Sequence, residues 1–579
     1  MRVPRVLLVL LSLLLVACQS DPPAPDPPDA PPAQSSAELG DDPLAEDPVL
    51  LTGSPGGAYY KIARHLAGVV SAEGGALQVL STRGAIESLY LLAWGHGDFA
   101  IVQGDVLESP RHRAARAEVE IVGPLINEEL HAIVRRGSPI KTLLDLRGKK
   151  VATGALGSGT AMTVADVLRV GQIGDVELEH LGLKAGLAAL RAERVDALLY
   201  VGAVPLPALE DEQGLAWVSI SERTLNAFPW EQSPYLCAEL QAPYAWEPGD
   251  VGTLAVPAYL VRRKDVDPRA LIEAVNLAAD PDSPHALSLL DGVVVDEDPP
   301  PPPEFEVIPA APQREVLRLL SGPEGGSYAA CGADLGELSS RVEAFETQGS
   351  LRNLILIAAG EGDLAIVQGD VIEQGLIAEA TRAQVESLRL VLPLYLETLH
   401  IVVPKDSEVT ELKQLEGRRV AVGETGSGTQ VTVRRLLRTL DWPRGTLQAR
   451  AVGGGLAWES LLSGELDAAF FVSRQPIARF DDRARFLAVA DGSTRIDPRH
   501  YGWLEQAVPA QGVQAFLVAR SDADPSTIKE LIVSFFAKRE TLLANNPRWE
   551  DVTLDSIKNY AGPLPHHPGL ESALEGELR

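Results

Sequence analysis

The sequence predicts an α/β chain built as a tandem pair of modules, each of two lobes, and three observations carry that prediction. The stretch Gly154-Ala155-Leu156-Gly157-Ser158-Gly159-Thr160 returns as Gly423-Glu424-Thr425-Gly426-Ser427-Gly428-Thr429. Other segments return around it in the same order and at nearly constant spacing. Inside each copy, short β-branched runs alternate with helical patterns, which is how sheets covered by helices read in sequence.

The spacing of the repeat is tight. Gly56-Gly57-Ala58-Tyr59 meets Gly325-Gly326-Ser327-Tyr328 at an offset of 269 residues. Gly97-Asp98-Phe99-Ala100-Ile101-Val102-Gln103-Gly104-Asp105 meets Gly362-Asp363-Leu364-Ala365-Ile366-Val367-Gln368-Gly369-Asp370 at 265. The Gly-Ser-Gly-Thr loops return at 269, and Asp196-Ala197 returns as Asp467-Ala468 at 271. A period of this length is a duplicated domain; solenoid repeats are far shorter.

Taken from the N-terminus, Arg2 and Arg5 precede an apolar run from Val6 to Val16 that ends in Ala17-Cys18. Eleven residues are too few for an ordinary membrane span. Basic residues, a short apolar core and a small residue before cysteine fit a bacterial lipoprotein signal over 1–17, with lipidation of Cys18. Residues 18–47, rich in Pro, Ala and Asp, are expected to form an extended tether. A first module is expected over 48–297, a proline-rich linker over 298–313 and a second module over 314–579.

Within the first module the strand candidates are Leu77 to Leu80, Phe99 to Val102, His131 to Val134, Val151 to Thr153 and Ala197 to Val201, in largely parallel sheets. The strand at Leu130–Val134 and its twin at Leu399–Val403 carry the chain from one lobe to the other. Thr253–Val261 and Val513–Val518 bring it back. Two crossings make a hinge, and a cleft between hinged lobes is a natural small-molecule site.

Composition narrows the function. A formal charge of −29 leaves no basic face for a phosphate backbone, so nucleic acid is not an expected partner. Three cysteines give neither a disulfide framework nor a metal cluster, and the histidines are scattered, so no metal or cofactor is implied. Cys237 and Cys331 are read as free thiols, although an exported chain permits a bridge. Ser158 and Ser427 have no histidine motif beside them, so no enzyme is expected.

The candidate chemistry is that of binding. The loops Gly157-Ser158-Gly159-Thr160 and Gly426-Ser427-Gly428-Thr429 each run into a helical pattern, where unpaired N–H groups and the helix dipole favour an anion. The same loop could serve only as a helix cap. Gln103 and Gln368 end strands as ligand candidates, while Asp105 and Asp370 read as helix N-caps. Tyr59 and Tyr328 follow the glycine pairs at Gly57 and Gly326, either to close over a solute or to pack between helix and sheet. Arg83 and Arg474 could pair with a ligand carboxylate or lie in solvent.

These motifs, covering nearly all of both modules, resemble the TAXI family of extracytoplasmic solute receptors of TRAP transporters. The shared marks are the Gly-Gly-x-Tyr turn, a Thr-x-Gly-Ser-x-x-Asn segment, Gly-x-x-Asp-x-x-x-x-Gln-x-Asp, the Gly-Ser-Gly-Thr loop, and Asp-Ala followed by Gly-x-Pro. The resemblance implies type II periplasmic-binding-protein-like modules, each closing two α/β lobes on an organic acid. Carried over by motif, Tyr59, Thr82, Gly84, Gln103, Ser158 and Thr160 would line the first cleft. Tyr328, Thr347, Gly349, Ser350, Asn353, Gln368, Ser427 and Thr429 would line the second. The first copy has Ala85 and Ser88 where the second has Ser350 and Asn353, and the second reads Ser473-Arg474-Gln475-Pro476 where the first keeps Gly202-Ala203-Val204-Pro205. The second is expected to be the more intact polar site.

The expectation is a periplasmic, membrane-anchored receptor for a small organic anion, and the resemblance implies a dicarboxylate or an amino acid such as glutamate as that anion. The resemblance implies delivery to TRAP membrane subunits. A second reading is a sensor or interaction protein built from such modules, with one or both sites degenerate.

Overall fold

The β-branched runs of the first copy become strands β1 Val49–Thr52, β2 Gln78–Ser81, β3 Phe99–Gln103, β4 Val119–Arg135, β5 Lys150–Thr153, β6 Glu177–His180, β7 Ala197–Gly202, β8 Leu215–Trp217, β9 Leu236–Leu240 and β10 Val251–Arg263. A computed structural model describes residues 42–44, 46–220, 234–241, 243–247, 249–290, 293–295 and 314–578. The expected signal segment, Cys18 and the proline linker lie outside the described residues. β1 and β3 are buried at every position, as strands covered by helices on both faces must be.

The ten strands form one sheet in the order β2-β1-β3-β10-β4-β7-β5-β6, with β8 on β4 and β9 on β10. Its two ends are the two lobes. β1, β2 and β3 are parallel in one lobe, and β5, β6 and β7 in the other. The centre departs from the expected parallel sheets: β10 runs antiparallel to β3 and β4, and β4 antiparallel to β7. The reason is topological. β4 takes the chain out of the first lobe and β10 brings it back, so each runs against its neighbours.

The crossing has a definite residue. β4 pairs with β10 as far as Glu129 opposite Ala255, and with β7 from Glu129 opposite Gly202 onward. Glu128 and Glu129 therefore sit where β4 changes lobe.

The second copy repeats the plan with β11 Leu317–Leu320, β12 Val342–Phe345, β13 Leu364–Gln368, β14 Leu388–Pro404, β15 Arg419–Ala421, β16 Gln448–Arg450, β17 Ala468–Ser473, β18 Ala484–Leu487, β19 Thr494–Ile496, β20 Val508–Ala510 and β21 Gly512–Arg520. The order β12-β11-β13-β21-β14-β17-β15-β16 matches the first sheet strand for strand. The changeover falls at Thr398, which pairs with Gly512 of β21 and Ser473 of β17. Both copies are thus mixed α/β modules of two lobes threaded by two crossing strands.

The modules are not beads on a string. Helices Ala85–Ala93 and Ser350–Ala358, the equivalent elements of the two copies, share one apolar core. Ile86, Leu89 and Tyr90 of the first lie in that core with Leu351, Leu354 and Ile355 of the second, all fully buried. At its centre the Arg352 guanidinium stands 2.9 Å from the Glu87 carboxylate, with side chains 3% and 1% exposed. Each partner also reaches the other module's glycine loop. Arg352 Nη2 donates to the Leu156 carbonyl at 2.9 Å, and a methyl added at Gly426 would stand 2.4 Å from Glu87 Oε1.

A second contact departs from expectation. The end of the stretch read as an extended tether lies on the second module. The Ala449 amide donates to Asp42 at 2.8 Å, Arg434 donates to the Pro43 carbonyl at 2.8 Å, and Leu44 is buried in the core beside Leu437 and Leu447. Burial of the Leu44 side chain adds to these bonds in holding the segment there.

Because the pair is buried, Arg352→Leu leaves Glu87 as an uncompensated charge, and the full chain should lose about 3–5 kcal/mol of stability in urea unfolding. The double replacement Glu87→Leu with Arg352→Leu should lose less than the single one, since neither charge then remains buried.

Candidate functional site

Each cleft is built at the strand crossover, and the two lobes supply different groups to it. The first lobe supplies a tyrosine, a glutamine and the start of a glycine-led helix; the second supplies the Gly-Ser-Gly-Thr loop. In the second module the Tyr328 hydroxyl donates to Glu397 Oε2 at 2.7 Å, and Gln368 Nε2 donates to the same oxygen at 3.0 Å. In the first, the Tyr59 hydroxyl donates to Glu128 Oε2 at 2.5 Å. Glu128 and Glu397 each stand one residue before the position at which β4 and β14 change lobe.

The loops close the other side. Ser158 and Ser427 are the N-caps of helices Gly159–Val170 and Gly428–Thr439, accepting from Ala161 N at 3.2 Å and Gln430 N at 3.3 Å. Those hydroxyls therefore act on the backbone. The Thr160 and Thr429 hydroxyls are likewise engaged, tying the helix starts to Val201 and Val472 of β7 and β17. What each loop leaves facing the cleft is the glycine. A methyl added at Gly428 would stand 1.7 Å from Gln368 Oε1, and one at Gly159 would stand 1.8 Å from Gln103 Oε1. The glutamine of one lobe thus presses on the first helical residue of the other.

Across the cleft mouth, Gly84 has φ +133° and a methyl there would lie 3.4 Å from Ser158 Cα. That backbone favours glycine, while the approach itself is an ordinary van der Waals contact. Gly349 has the same kind of backbone, φ +112°, without the close neighbour.

The expected N-cap role of Asp105 and Asp370 is not what the structure shows. The helices begin at Gly104 and Gly369, with Gln103 and Gln368 as N-caps, because the strand turns into helix directly after the glutamine. The aspartates stand one residue inside and reach across the cleft. Thr163 donates to Asp105 Oδ2 at 2.5 Å, and Thr432 donates to Asp370 Oδ2 at 2.6 Å. These two bonds join the lobes in both modules.

The remaining candidates divide. Gln103 Nε2 donates to Thr163 at 3.2 Å rather than to Glu128. Thr82 and Thr347 spend their hydroxyls behind the site, Thr82 on the Thr52 carbonyl and Thr347 on Asn353. Asn353 is fully buried and donates to the Ser321 and Ile366 carbonyls, and Ser350 accepts from the Gln368 amide. Gly57 and Gly326 cap the helices that carry Tyr59 and Tyr328. Arg83 is exposed, with its backbone N–H on Glu87. Arg474 pairs with Glu550 at 3.1 Å. Neither arginine lies among the bonded groups of a cleft. Cys237 and Cys331 are free.

Sequence reasoning missed Glu128 and Glu397, Thr163 and Thr432. A signal existed: Glu128 and Glu397, like Thr163 and Thr432, recur at the same offset of 269 as the tyrosines and the loops.

Burial sets the charge of these groups. It pushes Glu128 up to about 8, Glu397 and Asp105 up to about 7, and raises Asp370, because the clefts offer donors but bury the carboxylates away from water. No group of three or more His, Cys, Asp or Glu able to hold a metal occurs among the described residues, nor a helix long and apolar enough to cross a membrane.

A profile described as "NMT1-like family" matches residues 50–275 and 319–489, one segment in each module and together more than half of the chain. Among solved structures, the periplasmic domain of BvgS from B. pertussis is 15% identical, covering 94% of this chain and 98% of that one at a TM-score of 0.27. AbpA from Streptococcus pneumoniae, an amino acid ABC transporter substrate-binding protein bound to L-arginine, is 16% identical over 40% of this chain and 88% of its own, with a TM-score of 0.28. A putative periplasmic sulfonate-binding protein, SsuA from Methylobacillus flagellatus, is 16% identical over 41% and 70%, with a TM-score of 0.28. Scores this low carry no argument about ligand or partner.

A carboxyl whose pKa rises on folding favours the native state while protonated. For Glu397 that contribution is complete below its ordinary 4.5 and is lost as pH rises through about 7. Glu397→Gln should therefore gain melting temperature relative to the unchanged chain as pH goes from about 5 to about 8, in thermal unfolding at matched salt.

Proposed function

The chain belongs to the NMT1-like family, and on that premise we propose that it is a solute-binding receptor whose clefts capture a small organic anion by lobe closure. One observation supports this above the others. In each module, groups from two lobes meet at the strand crossover around the first residue of a capped helix, where unpaired amides and the helix dipole attract negative charge. Tyr328, Gln368 and the Gly428 helix start form the fuller set. Binding of this kind needs no catalytic group.

The finer reading follows the resemblance to TAXI receptors. The chain works outside the inner membrane, anchored through lipidated Cys18, and passes a dicarboxylate or an amino acid to TRAP membrane subunits. A second reading, a sensor that reports ligand to a partner, draws support from the core shared by the two modules, since a change in one cleft bears directly on the other.

Two measurements test the proposal. Calorimetry on the full chain with a panel of carboxylates should give binding that weakens at least tenfold in Gly428→Ala, whose methyl displaces the Gln368 amide. A chain that binds no panel member, or whose affinity is untouched by that change, removes the cleft as a solute site. Labelled palmitate should enter the chain in a bacterial host and fail to enter Cys18→Ser; equal labelling of both would remove the anchor.

A further inference from the structure

The two first lobes share one apolar core, but the modules also touch where they would have to move. Each second lobe, the half that swings away on opening, is held by the first lobe of the other module. On one side Arg352 Nη2 donates to the Leu156 carbonyl at 2.9 Å, and Arg318 Nη2 donates to His180 Nε2 at 3.0 Å. Leu156 and His180 lie in the second lobe of the first module; both arginines lie in the first lobe of the second. On the other side Arg444 stands 3.6 Å from Asp98, and the Gly445 amide donates to the Leu44 carbonyl at 2.6 Å. Asp98 precedes β3, and Leu44 runs into β1.

The glycine before each loop serine marks how close the fit is. A methyl at Gly157 would collide with Leu356 of the other module, and one at Gly426 with Glu87 Oε1. Both loops therefore end on a single ion pair. Arg352 covers the first loop through its bond to Leu156, and Glu87 covers the second through its contact with Gly426. Glu87 Oε2 is engaged by the Arg352 guanidinium and the Arg83 amide. Its Oε1 has no hydrogen-bond partner among the described residues, although Glu87 is 1% exposed. An unpaired carboxylate oxygen is costly to bury, so water has something to gain wherever the cover parts.

We propose that the modules latch each other, so that neither cleft opens alone. Parting either glycine loop from the ion pair admits water to both charges. Hydrated charges attract far more weakly than dry ones, and the loop on the opposite side loses its hold in turn. The two first lobes then form one fixed body, and the two second lobes leave it or close on it in concert. This concerns lobe motion and holds whatever the clefts bind, so a failure of the solute reading leaves it standing.

The test reads spin-label distances across each cleft in the full chain, with Cys18→Ser and Cys237→Ser to remove other sites of labelling; Cys331 is fully buried. Lys61→Cys with Lys184→Cys spans the first cleft, and Ala333→Cys with Glu459→Cys spans the second; all four positions are exposed. Two further changes release one side each. Arg318→Leu removes a hold on the first module from a side chain 19% exposed at the rim, without touching the ion pair. Gly426→Ala pushes the second module's loop off Glu87. Each should enlarge the long-distance population about twofold or more in both clefts, including the cleft whose own contacts are untouched. A variant in which one cleft lengthens and the other does not overturns the concerted opening. A variant that moves neither cleft overturns the latch.

Discussion

The contact on which the assembly depends is the buried pair of Glu87 and Arg352. These residues occupy the same position of the two copies, at the offset of 265 that relates the Gln-Gly-Asp segments. When equivalent positions of two copies meet, the copies are arranged about a pseudo-twofold axis, and the pair lies at that axis. Two identical modules meeting this way would set like charge against like charge in a dry core, at a cost of several kcal/mol. Carrying both copies on one chain lets the position diverge into opposite charges. The pair then fixes which helix faces which, a specifying role better attested for buried ions than a stabilising one.

From that axis the closed state of both clefts follows. The Ser350–Ala358 helix packs on the first lobe of the first module through the shared core, and Arg352 on the same helix holds the Leu156 carbonyl in that module's other lobe. The Ala85–Ala93 helix does the converse, pairing with Arg352 while Glu87 lies against Gly426. Each helix therefore spans the neighbouring module's cleft. The contacts between the modules are thus made by the same two helices that reach each other's glycine loop.

Most of the fold was legible in sequence, because a duplicated pattern reports on itself: the strands, the crossovers and the capped loops each appear twice, and each landed where expected within a residue or two at most ends. β4 and β14 are the exceptions, reaching back to Val119 and Leu388, well before the expected Leu130 and Leu399. The site was legible in part. The glycine loops, Tyr328 and Gln368 carried motif signals, while Glu397 sat unremarked in a strand although it repeats with them. The inter-lobe bonds of Asp105 and Asp370 were hidden by a two-residue difference in where a helix starts. Contacts between modules, and the docking of Leu44, could not be read, because no periodicity encodes which surfaces of two domains will meet.

Placing a carboxylate at the strand crossover ties closure to charge. Glu397 is buried, and that burial, with Asp370 nearby, pushes its pKa up to about 7 against the opposing hydrogen bonds from Tyr328 and Gln368. Closing on the ionised group costs desolvation, and two changes offset that cost: a proton, or a cationic group delivered to the same oxygen. A ligand bearing an ammonium supplies the second without waiting for the first. Its differential affinity for the closed form is then the desolvation that it relieves, which is the condition any ligand must meet to shift such an equilibrium. Glu128 faces the same choice with only Tyr59 bonded to it, and burial pushes it higher, to about 8.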